Sequence, residues 1–426
     1  MKPTIYTEVL SQIKPSEIEQ KKFEKVTKLF LTALNSKLKH ACGILGGSGA
    51  KDTWLAGAHD VDIFVQFDYQ KFAAKSMRLS DILEKTLQNT FPKSKINRLY
   101  GSRDYFQLRY EGIDFEIIPI LKVTQPAQAK NITDLSPLHS LWVNKHAVKQ
   151  KDDIRLAKQF CKANGLYGAE SYISGFSGYV LEILVAHYGS FEKLLKASLK
   201  WKDKEVVDPA NHYPKKDALF HLNSSKQHSP LVLVDPMDKN RNASAALSRD
   251  KFIKFKTKAG EFLKKPAVSF FVKPELSLLV LQKETKQNKL HLVFLEVQPK
   301  TGKRDVVGSQ LVKAFEFIQK RLKVFGVQSS GWDWDKSKEA VFYFFTTKDK
   351  QPLYELRAGP PLELKEYVID FRKRHKDTFE KDGKIWAKIK VEHTELGEFV
   401  KHLVKEGYVK ERVGNIKINL RENIIL

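Results

Sequence analysis

Cysteine is scarce in this sequence, with two residues among 426. Cys42 and Cys161 have neither the spacing of metal ligands nor the density of a disulfide scaffold. We therefore expect no zinc site, and we expect each cysteine to be an inert, small buried residue. Stability then has to come from hydrophobic cores. A hydrophobic content of 42% over this length is enough for two to four domains.

Long apolar runs are missing as well. The sequence contains no stretch of about 18 apolar residues, the length that a membrane-spanning helix requires. The N-terminal segment MKPTIYTEVLSQIKPSEIEQKK also lacks the apolar core of a signal peptide. We therefore predict a cytoplasmic protein that has no membrane partner.

Acidic residues are outnumbered by basic ones. The chain has 74 lysines and arginines against 50 aspartates and glutamates, a net charge of +24 and a pI near 9.6. Neutralising phosphates and releasing their counterions supplies most of the affinity of non-specific nucleic-acid binding. Because the basic residues are spread along the whole chain, the charge favours an extended RNA or DNA partner. A lysine-rich proteome and an anionic membrane surface are the alternatives that charge alone leaves open.

The first 149 residues predict a unit of mixed helices and strands. Apolar positions recur at helical spacing from Ser16 to Lys39. The run from Asp60 to Phe67 alternates strictly between two faces, as a strand does. Tyr105–Tyr110 and Ile113–Ile118 predict a hairpin, and we expect Pro119 to terminate its second strand.

Two regions with different patterns follow. Residues 150–262 predict a helical unit, whose first helix has acidic residues in its first turn and an Asn-Gly stop. Residues 263–426 combine apolar, strand-like runs with a helical stretch from Ser309 to Phe325. We therefore predict an α+β multidomain protein with domains at 1–149, 150–262 and 263–426.

Two aspartates on the alternating strand indicate metal chemistry. Asp60 and Asp62 lie at i and i+2, so their carboxylates point to the same side and repel each other unless a cation lies between them. Carboxylate oxygens suit Mg²⁺, which completes its octahedron with water and substrate phosphates. An exposed strand face is the alternative interpretation, but the rest of the strand is hydrophobic.

A glycine turn, GGSG, precedes this strand. Glycines permit close backbone approach, so the backbone at Gly47 and the hydroxyl of Ser48 can hold triphosphate oxygens, with Lys51 as the nearby cation. No Lys-Ser or Lys-Thr follows at the spacing of GxxxxGK[ST], which disfavours a P-loop ATPase. A tight structural turn is the alternative interpretation.

Glycine-serine, a short spacer and the h-Asp-h-Asp-h strand together resemble the polymerase β-like nucleotidyltransferases. The resemblance implies a nucleotidyltransferase head in which three carboxylates hold two Mg²⁺ ions. A third acid is therefore required on the later strand. Asp114 and Glu116 share one face of that strand, so alternation cannot choose between them.

A finer resemblance is to the archaeal-type, class I CCA-adding enzymes. In that family the third acid precedes two apolar residues and a proline, and GIDFEIIPI has Glu116 at this place. The family pattern has aspartate there, so the glutamate is a departure and Asp114 stays the alternative third ligand. The resemblance implies that Asp60, Asp62 and Glu116 are the catalytic and metal-binding residues.

Further motifs extend the resemblance beyond the catalytic strands. DLSPLHSLW resembles the family segment D-x-[TS]-P-x-H-x-x-W, which implies that Ser136 and His139 contact the incoming nucleotide. In RLAKQFCKANGLYGAE, Lys158 and Tyr167 match the lysine and tyrosine that contact the triphosphate. LVLVDPMDKNRNASAALS resembles a block whose arginine, Arg241 here, reads the Watson–Crick edge of CTP or ATP.

Two of these matches have structural alternatives. Arg155, Lys158 and Lys162 lie at i, i+3 and i+7 of one helix, and this basic stripe faces either a triphosphate or solvent. Arg241 is alternatively a salt-bridge partner at the start of a helix, which would also explain Asp235.

The resemblance implies a catalytic head, a helical neck that recognises the nucleotide, and a C-terminal body and tail that bind tRNA. The implied substrates are CTP, ATP and tRNA lacking all or part of its 3′ CCA, and the implied product besides tRNA is pyrophosphate. Addition of only CC or only A, a poly(A) polymerase, an oligoadenylate synthetase-like enzyme and a catalytically inactive RNA-binding relative are the alternatives. The sequence leaves open whether the protein forms a homodimer.

Overall fold

The computed structural model describes residues 4–57, 60–214, 217–274, 276–334 and 339–421. The chain forms two compact units that divide after Pro274. Helices and sheets occur in both units, which confirms the predicted α+β class. Within the described residues, no helix is both long enough and apolar enough to cross a membrane.

The first unit begins with helices packed against a twisted sheet. Its elements in chain order are α1 (Ile5–Ile13), α2 (Glu17–Asn35), β1 (Ala41–Leu45), α3 (Gly47–Ala50), β2 (Asp60–Phe67), α4 (Tyr69–Phe72), α5 (Leu79–Thr90), β3 (Asn97–Leu99), β4 (Tyr105–Tyr110) and β5 (Ile113–Leu121). Helix α2 lies within the predicted helical stretch and begins at a capping box, in which Ser16 and Glu19 each accept the other's backbone N–H.

The sheet has the strand order β1-β2-β5-β4-β3, with β2 and β5 parallel and the other neighbours antiparallel. The predicted alternation of β2 is confirmed, because one face consists of the buried residues Val61, Ile63, Val65 and Phe67. Helix α2 covers this core, and its Phe30 stacks on Phe115 of β5 with ring centroids 4.0 Å apart. Asp60 and Asp62 therefore lie at the start of a rigid, packed strand.

The expectation that Pro119 ends the hairpin strand is wrong. Strand β5 continues to Leu121, and Pro119 pairs with Val65 of β2. The last pair between β5 and β4 joins Ile117 to Phe106, so beyond it β5 has one hydrogen-bonded neighbour in place of two. A strand tolerates proline where one of its sides is open, since no N–H is required there.

A helical core forms the rest of the first unit. Its elements are α6 (Ser136–His146), α7 (Lys151–Ala163), α8 (Gly178–Tyr188), α9 (Phe191–Ser198), β6 (Glu205–Val207), α10 (Ala218–His221), β7 (Leu231–Asp235), β8 (Asp238–Asn242) and α11 (Arg249–Lys264). Phe160 of α7 makes edge contacts with Phe191 and Phe262, at centroid distances of 5.6 and 6.0 Å. The N-terminal helix α1 also belongs to this core through Val9 and Ile13.

Helix α7 begins and ends as the sequence predicts. Asp152 and Asp153 occupy its first turn, and Asn164 and Gly165 follow its last residue. Gly165 has a φ of +64°, a conformation that glycine adopts without strain. The phenylalanine-rich run after Pro266 forms a 3₁₀ turn at Val268–Phe271 that packs in this same helical core.

The second unit contains separate sheets. Its elements are α12 (Leu278–Asn288), β9 (His291–Val297), α13 (Arg304–Leu322), β10 (Val327–Asp333), β11 (Ala340–Thr346), β12 (Tyr354–Pro361), α14 (Lys365–Arg374), β13 (Thr378–Lys381), β14 (Lys384–Lys390), α15 (Leu396–Leu403), α16 (Gly407–Lys410) and β15 (Ile416–Arg421). One sheet has the order β10-β11-β9-β15 and packs on α13, and another has the order β12-β14-β13 and packs on α14. The helix predicted from Ser309 to Phe325 corresponds to α13.

Two further sequence predictions concern composition and domains. Cys161 is buried as expected, but Cys42 is exposed on the edge strand β1, so the prediction that both cysteines are buried is wrong for Cys42.

The division at 1–149, 150–262 and 263–426 stays a prediction. Within the first unit, the sheet and the helices of the second half have separate hydrophobic clusters.

Candidate active site

The glycine turn lies directly against the first acidic strand. The N–H of Gly46 donates to the carbonyl of Asp62 at 2.8 Å. Gly47 has a φ of +53°, and a Cβ at this position would lie 1.6 Å from Oδ2 of Asp62. The Asp62 carboxylate thus occupies the space that any side chain at position 47 would need. Glycine is required here for both its backbone conformation and its missing side chain.

The parallel pairing of β2 and β5 brings the predicted acids together. Asp62 pairs with Glu116 and Asp60 pairs with Asp114. Burial raises the pKa of the Asp62 carboxyl, the charges of Glu116 and Asp60 raise it further, and Lys51 lowers it, with a result of about 7. Negative charge is therefore concentrated at the start of these two strands.

Asp114 and Glu116 have different surroundings. Asp114 lies near Arg109, with 3.9 Å between carboxylate and guanidinium, and 45% of its side chain is exposed. Glu116 accepts a hydrogen bond from the side-chain amide of Gln107 on β4. Glu116 is the neighbouring acid that acts most strongly on Asp62. The register sets each acid beside an aspartate of β2, and it is the surroundings that distinguish the two.

The acids fit a divalent cation by their chemistry. Carboxylate oxygens are the ligands that Mg²⁺ prefers, and repulsion between adjacent carboxylates is relieved by a bound cation. Across the described parts of the chain, no three aspartate, glutamate, histidine or cysteine side chains already stand in the geometry of a metal site. Mg²⁺ commonly completes its coordination with water and substrate phosphates, so the acids of β2 and β5 would not have to supply all of its ligands.

A buried cluster of charges lies beside the glycine turn. Lys51 donates to Oε2 of Glu182 at 2.6 Å, and Lys158 donates to Oε1 of Glu182 at 2.8 Å. The hydroxyl of Thr53 donates to Oε1 at 2.8 Å as well. Burial would raise the pKa of Glu182, but the charges of Lys158 and Lys51 lower it to about 2. Both lysines also lower the pKa of Asp62 through space, so they act on the acidic strands.

Glu182 is the site residue that our sequence predictions missed. It is the only charged residue that the run YVLEILVA offers, and every other residue there is apolar or aromatic. A lone glutamate in an otherwise apolar helix is rarely buried without a partner, so this contrast was the available signal.

The basic stripe predicted on α7 is divided between two environments. Arg155 is almost fully buried and binds Asp52 and Asp152 at 2.5 and 2.8 Å. It also donates to the carbonyl of Trp54, so it anchors the segment that follows Lys51. Lys158 reaches Glu182, whereas Lys162 is exposed. Arg155 thus stabilises the turn, and Lys158 is the member of the stripe that lies in the charged cluster.

Tyr167 lies next to Lys158 as the sequence match requires. Its backbone forms a parallel bridge with Phe176, which brings it to the start of α8. A Cβ at Gly178 would lie 2.9 Å from Oη of Tyr167 and 3.5 Å from Cε of Lys158. Burial raises the pKa of the Tyr167 hydroxyl, which therefore keeps its proton and can donate a hydrogen bond.

His139 and Arg241 converge on one carboxylate. Arg241 on β8 forms an ion pair with Asp235 on β7, and Nε2 of His139 lies 3.3 Å from the same carboxylate without hydrogen-bond alignment. The hydroxyl of Tyr179 donates to Asp235 at 3.0 Å, and its ring stacks on His139 with centroids 4.1 Å apart. The salt bridge anticipated for Arg241 therefore exists, although it spans a hairpin and not the start of a helix.

Burial and neighbouring groups together set the protonation of this second group. Burial would raise the pKa of Asp235, but the neighbouring His139 and Arg241 lower it to about 2. Burial lowers the pKa of His139, against the opposing effect of Asp235. Burial thus favours the neutral form of His139, and Asp235 is ionised. Lys51 lies 5.8 Å from the ring centroid of Tyr179, which links this group to the lysine cluster.

Ser136 and His139 are placed by a buried aspartate. Asp134 accepts the backbone N–H of Leu121 at 2.9 Å and forms an ion pair with Arg103. These contacts tie the start of α6 to the end of β5. The structure thus brings the predicted residues of the glycine turn, β2, β5, α6, α7 and the β7–β8 hairpin into one region of the first unit.

Comparisons with known proteins bear on the family to which this chain belongs. A family model described as tRNA nucleotidyltransferase, second domain, matches residues 152–272, which contain Lys158, Glu182 and Arg241. A solved structure of the Cid1 poly(U) polymerase covers 63% of this chain and 98% of its own, with 14% identity and a TM-score of 0.49. That likeness is too distant to identify a reaction.

Several curated relatives are named CCA-adding enzyme. The protein of Nanoarchaeum equitans is 34% identical over 88% of this chain and 91% of its own length. The protein of Methanosarcina acetivorans is 30% identical over 86% of this chain and 80% of its own. The protein of Thermococcus gammatolerans is 29% identical over 98% of this chain and 89% of its own. With identity of this degree over most of both chains, the chain belongs to the family of CCA-adding enzymes, which are tRNA nucleotidyltransferases.

Proposed function

We propose that the protein adds C, C and A to the 3′ end of tRNA from CTP and ATP and releases pyrophosphate. The observation that carries this proposal is the parallel register of β2 and β5. It sets Asp62 beside Glu116, against a glycine turn and within the field of two buried lysines. Family membership supplies the substrate class, since the relatives are named for CCA addition.

Asp60, Asp62 and Glu116 are the residues that would hold the metal, and we propose two Mg²⁺ ions. When bound, the ions lower the pKa of the attacking tRNA 3′-hydroxyl and neutralise the triphosphate and the departing pyrophosphate. We assign Glu116 as the third ligand because it pairs with Asp62 and acts on it directly. Asp114, which lies near Arg109, is the alternative.

The triphosphate is bound by groups that surround the glycine turn. We propose that the backbone at Gly47 and the hydroxyl of Ser48 approach its oxygens, since the missing side chain at 47 lets the chain come close to Asp62. Lys51 and Lys158 supply positive charge, and the protonated hydroxyl of Tyr167 donates a hydrogen bond.

Arg241, Ser136 and His139 position the base and sugar. Arg241 has five N–H donors in a fixed fork, and its ion pair with Asp235 fixes the direction of that fork. Neutral His139 retains one acceptor nitrogen and one donor nitrogen, which suits contacts to a ribose or a base edge. One arginine can serve both cytosine and adenine because each presents a ring nitrogen that accepts from its N–H donors.

The substrate tRNA explains the charge of the chain. We propose that basic surface, including Arg372, Lys373 and Arg374 in the last turn of α14, contacts the tRNA backbone. A protein acting on tRNA with CTP and ATP is expected in the cytoplasm. Light scattering of the purified protein will distinguish a monomer from a homodimer.

Three tRNA substrates test the proposed function. They end in the discriminator base, in the base plus C, and in the base plus CC, and each is offered labelled CTP or labelled ATP alone. We expect CTP to be added to the first two and ATP only to the third. Addition of C only or A only would indicate a split activity. Long homopolymeric tails, or no incorporation from any substrate, would contradict CCA addition.

A further inference from the structure

Glu182 is a buried carboxylate that joins parts of the chain far apart in sequence. It lies on α8, it has no exposed surface, and it binds Lys51 and Thr53 beside the glycine turn and Lys158 on α7. No residue assignment made from the sequence includes it. A glutamate so placed either stabilises the fold alone or also arranges the groups that bind substrate.

The two lysines differ in how much of their hydrogen-bonding capacity the protein uses. Lys158 makes three hydrogen bonds, to the carbonyl of Thr53 at 3.1 Å, to its hydroxyl at 2.8 Å and to Glu182. Among the residues that the structure describes, Lys51 donates to Glu182 alone. A lysine ammonium has three donors, so Lys51 keeps two for another partner. Glu182 thus holds the Lys51 side chain in place, and two of the three N–H donors of Lys51 stay available.

The charge balance also points to an anionic ligand. Lys51 and Lys158 share the single carboxylate of Glu182, and the other nearby negative charge on which both lysines act is the Asp62 carboxylate. The lysines that hydrogen-bond Glu182 therefore outnumber the carboxylates that they bind directly. This cluster lies beside the glycine turn, where the Asp62 carboxylate fills the space next to Gly47. A triphosphate is the anion that this corner of the site would receive.

We propose that Glu182 is a positioning residue for the triphosphate of the incoming nucleotide. It fixes the separation of the Lys51 and Lys158 ammonium groups and prevents their mutual repulsion, so that Lys51 meets the phosphates without rearrangement. Glu182 itself is an anion, so it acts through the lysines and does not contact the phosphates. This inference rests on the proposed function in one respect, that the ligand is a nucleoside triphosphate.

The test compares affinities for CTP and CMP, measured by calorimetry on the full chain without tRNA. Both ligands share base and sugar, so the ratio of their dissociation constants reports only on the additional phosphates. Glu182→Gln keeps the shape and removes the charge. We expect the ratio Kd(CMP)/Kd(CTP) to fall about tenfold, while the affinity for CMP changes little. A role confined to folding would weaken both ligands equally and leave the ratio unchanged.

Further variants control this comparison. Glu192→Gln removes a carboxylate on α9 that pairs with Lys196 and Tyr6 outside the site, and should leave the ratio unchanged. In a Lys51→Met background, Glu182→Gln should change the ratio less, since the two residues act together. If Glu182→Gln does not fold, the same ratio is measured for Glu182→Asp. This variant keeps the charge, but its shorter side chain no longer spans both lysines, so we again expect Kd(CMP)/Kd(CTP) to fall.

The outcomes separate this inference from the proposed function. A wild-type protein that binds CTP no better than CMP would overturn both. A wild type that prefers CTP, with the same ratio in the folded Glu182 variant, would overturn only the role of Glu182. A lower Kd(CMP)/Kd(CTP) ratio in the Glu182 variant than in wild type would support that role. It would do so even if no transfer to tRNA were observed, because the measurement involves no catalysis.

Discussion

Asp62 is the residue at which the opposing charges of the site meet. Burial, Glu116 and Asp60 raise the pKa of its carboxyl, and Lys51 and Lys158 lower it. A carboxylate kept in such surroundings is unfavourable for folding and useful for binding a cation. Sites of this kind commonly trade stability for function.

Removing the Asp62 charge should therefore stabilise the metal-free protein. The folded-state pKa of about 7 exceeds the ordinary value of an aspartate. The protonated Asp62 carboxyl therefore favours the folded state at low pH, and this contribution to stability is lost as pH rises from about 4 through 7. We expect Asp62→Asn to melt about 3 °C or more above wild type at pH 8 in EDTA. The difference between the two melting temperatures should become smaller towards pH 4. Asp68→Asn, an exposed aspartate after β2, is the control. A gap independent of pH would contradict this expectation.

The third acid can be tested with a matched pair. Glu116→Gln should lower kcat for CMP incorporation about a hundredfold or more, since a metal ligand is lost. Asp114→Asn should change it by about threefold or less. Equal losses, or a larger loss for Asp114→Asn, would assign the metal to Asp114.

The choice between these acids shows a limit of the sequence at the residue scale. Asp114 and Glu116 share a strand face, so local alternation treats them as equivalent. The pairing of Glu116 with Asp62 arises from the parallel register between strands that are about fifty residues apart, which is a tertiary property. The Arg155 side chain binds Asp52 and does not join the lysine cluster, and its direction likewise depends on tertiary packing.

At the scale of elements, the glycine turn and β2 form one functional piece. Its strand was predictable because alternation of polar and apolar residues is a local property, and the bounds Asp60–Phe67 agree with the prediction. Strand β5 was predicted three residues too short, because Pro119 is read as a strand breaker unless the open side of the strand is known. Helix α8 lies in the predicted helical unit, but the burial of Glu182 in its apolar run depends on the lysines that approach from the glycine turn and α7.

Two glycines with the same backbone requirement allow the turn to be tested. Gly47 and Gly57 both have positive φ, but a Cβ at Gly47 would overlap the Asp62 carboxylate, whereas a Cβ at Gly57 would meet no atom of the described residues within 4 Å. Backbone strain should cost each alanine substitution about 1 kcal/mol of stability, and Gly47→Ala should cost more because its Cβ also overlaps the Asp62 carboxylate. We expect only Gly47→Ala to lower kcat/KM for CTP by about tenfold or more beyond that effect. Similar kinetics for the two variants would exclude a specific role for the turn.

At the scale of the whole molecule, the excess of positive charge dominates. The net charge of +24 predicts tRNA binding driven largely by counterion release. Raising salt from about 50 to 200 mM should weaken tRNA binding by about tenfold or more, and CTP binding much less. Filter binding at several salt concentrations measures the slope. A tRNA affinity that is insensitive to salt would contradict the electrostatic account of tRNA binding.

The charge and the motifs indicated the partner, but the sequence said little about the second unit. Its β12-β14-β13 sheet and the basic helix α14 have no sharp motif, because recognition of RNA shape requires only basic surface in the right place. The sequence predicts strand-like apolar runs with a helix near 309–325, and the structure has both. The pairing of those strands depends on long-range contacts, which local sequence patterns do not specify.

The most direct measurement is incorporation of labelled CMP and AMP into a tRNA lacking its CCA end, by wild type and by Asp62→Ala. We predict a wild-type product that ends in CCA, and a loss of about a thousandfold or more for Asp62→Ala with the fold retained. Asp68→Asn, which keeps the side-chain acceptor that caps α4, should behave as wild type. Incorporation by Asp62→Ala at the wild-type rate would contradict catalysis at this site.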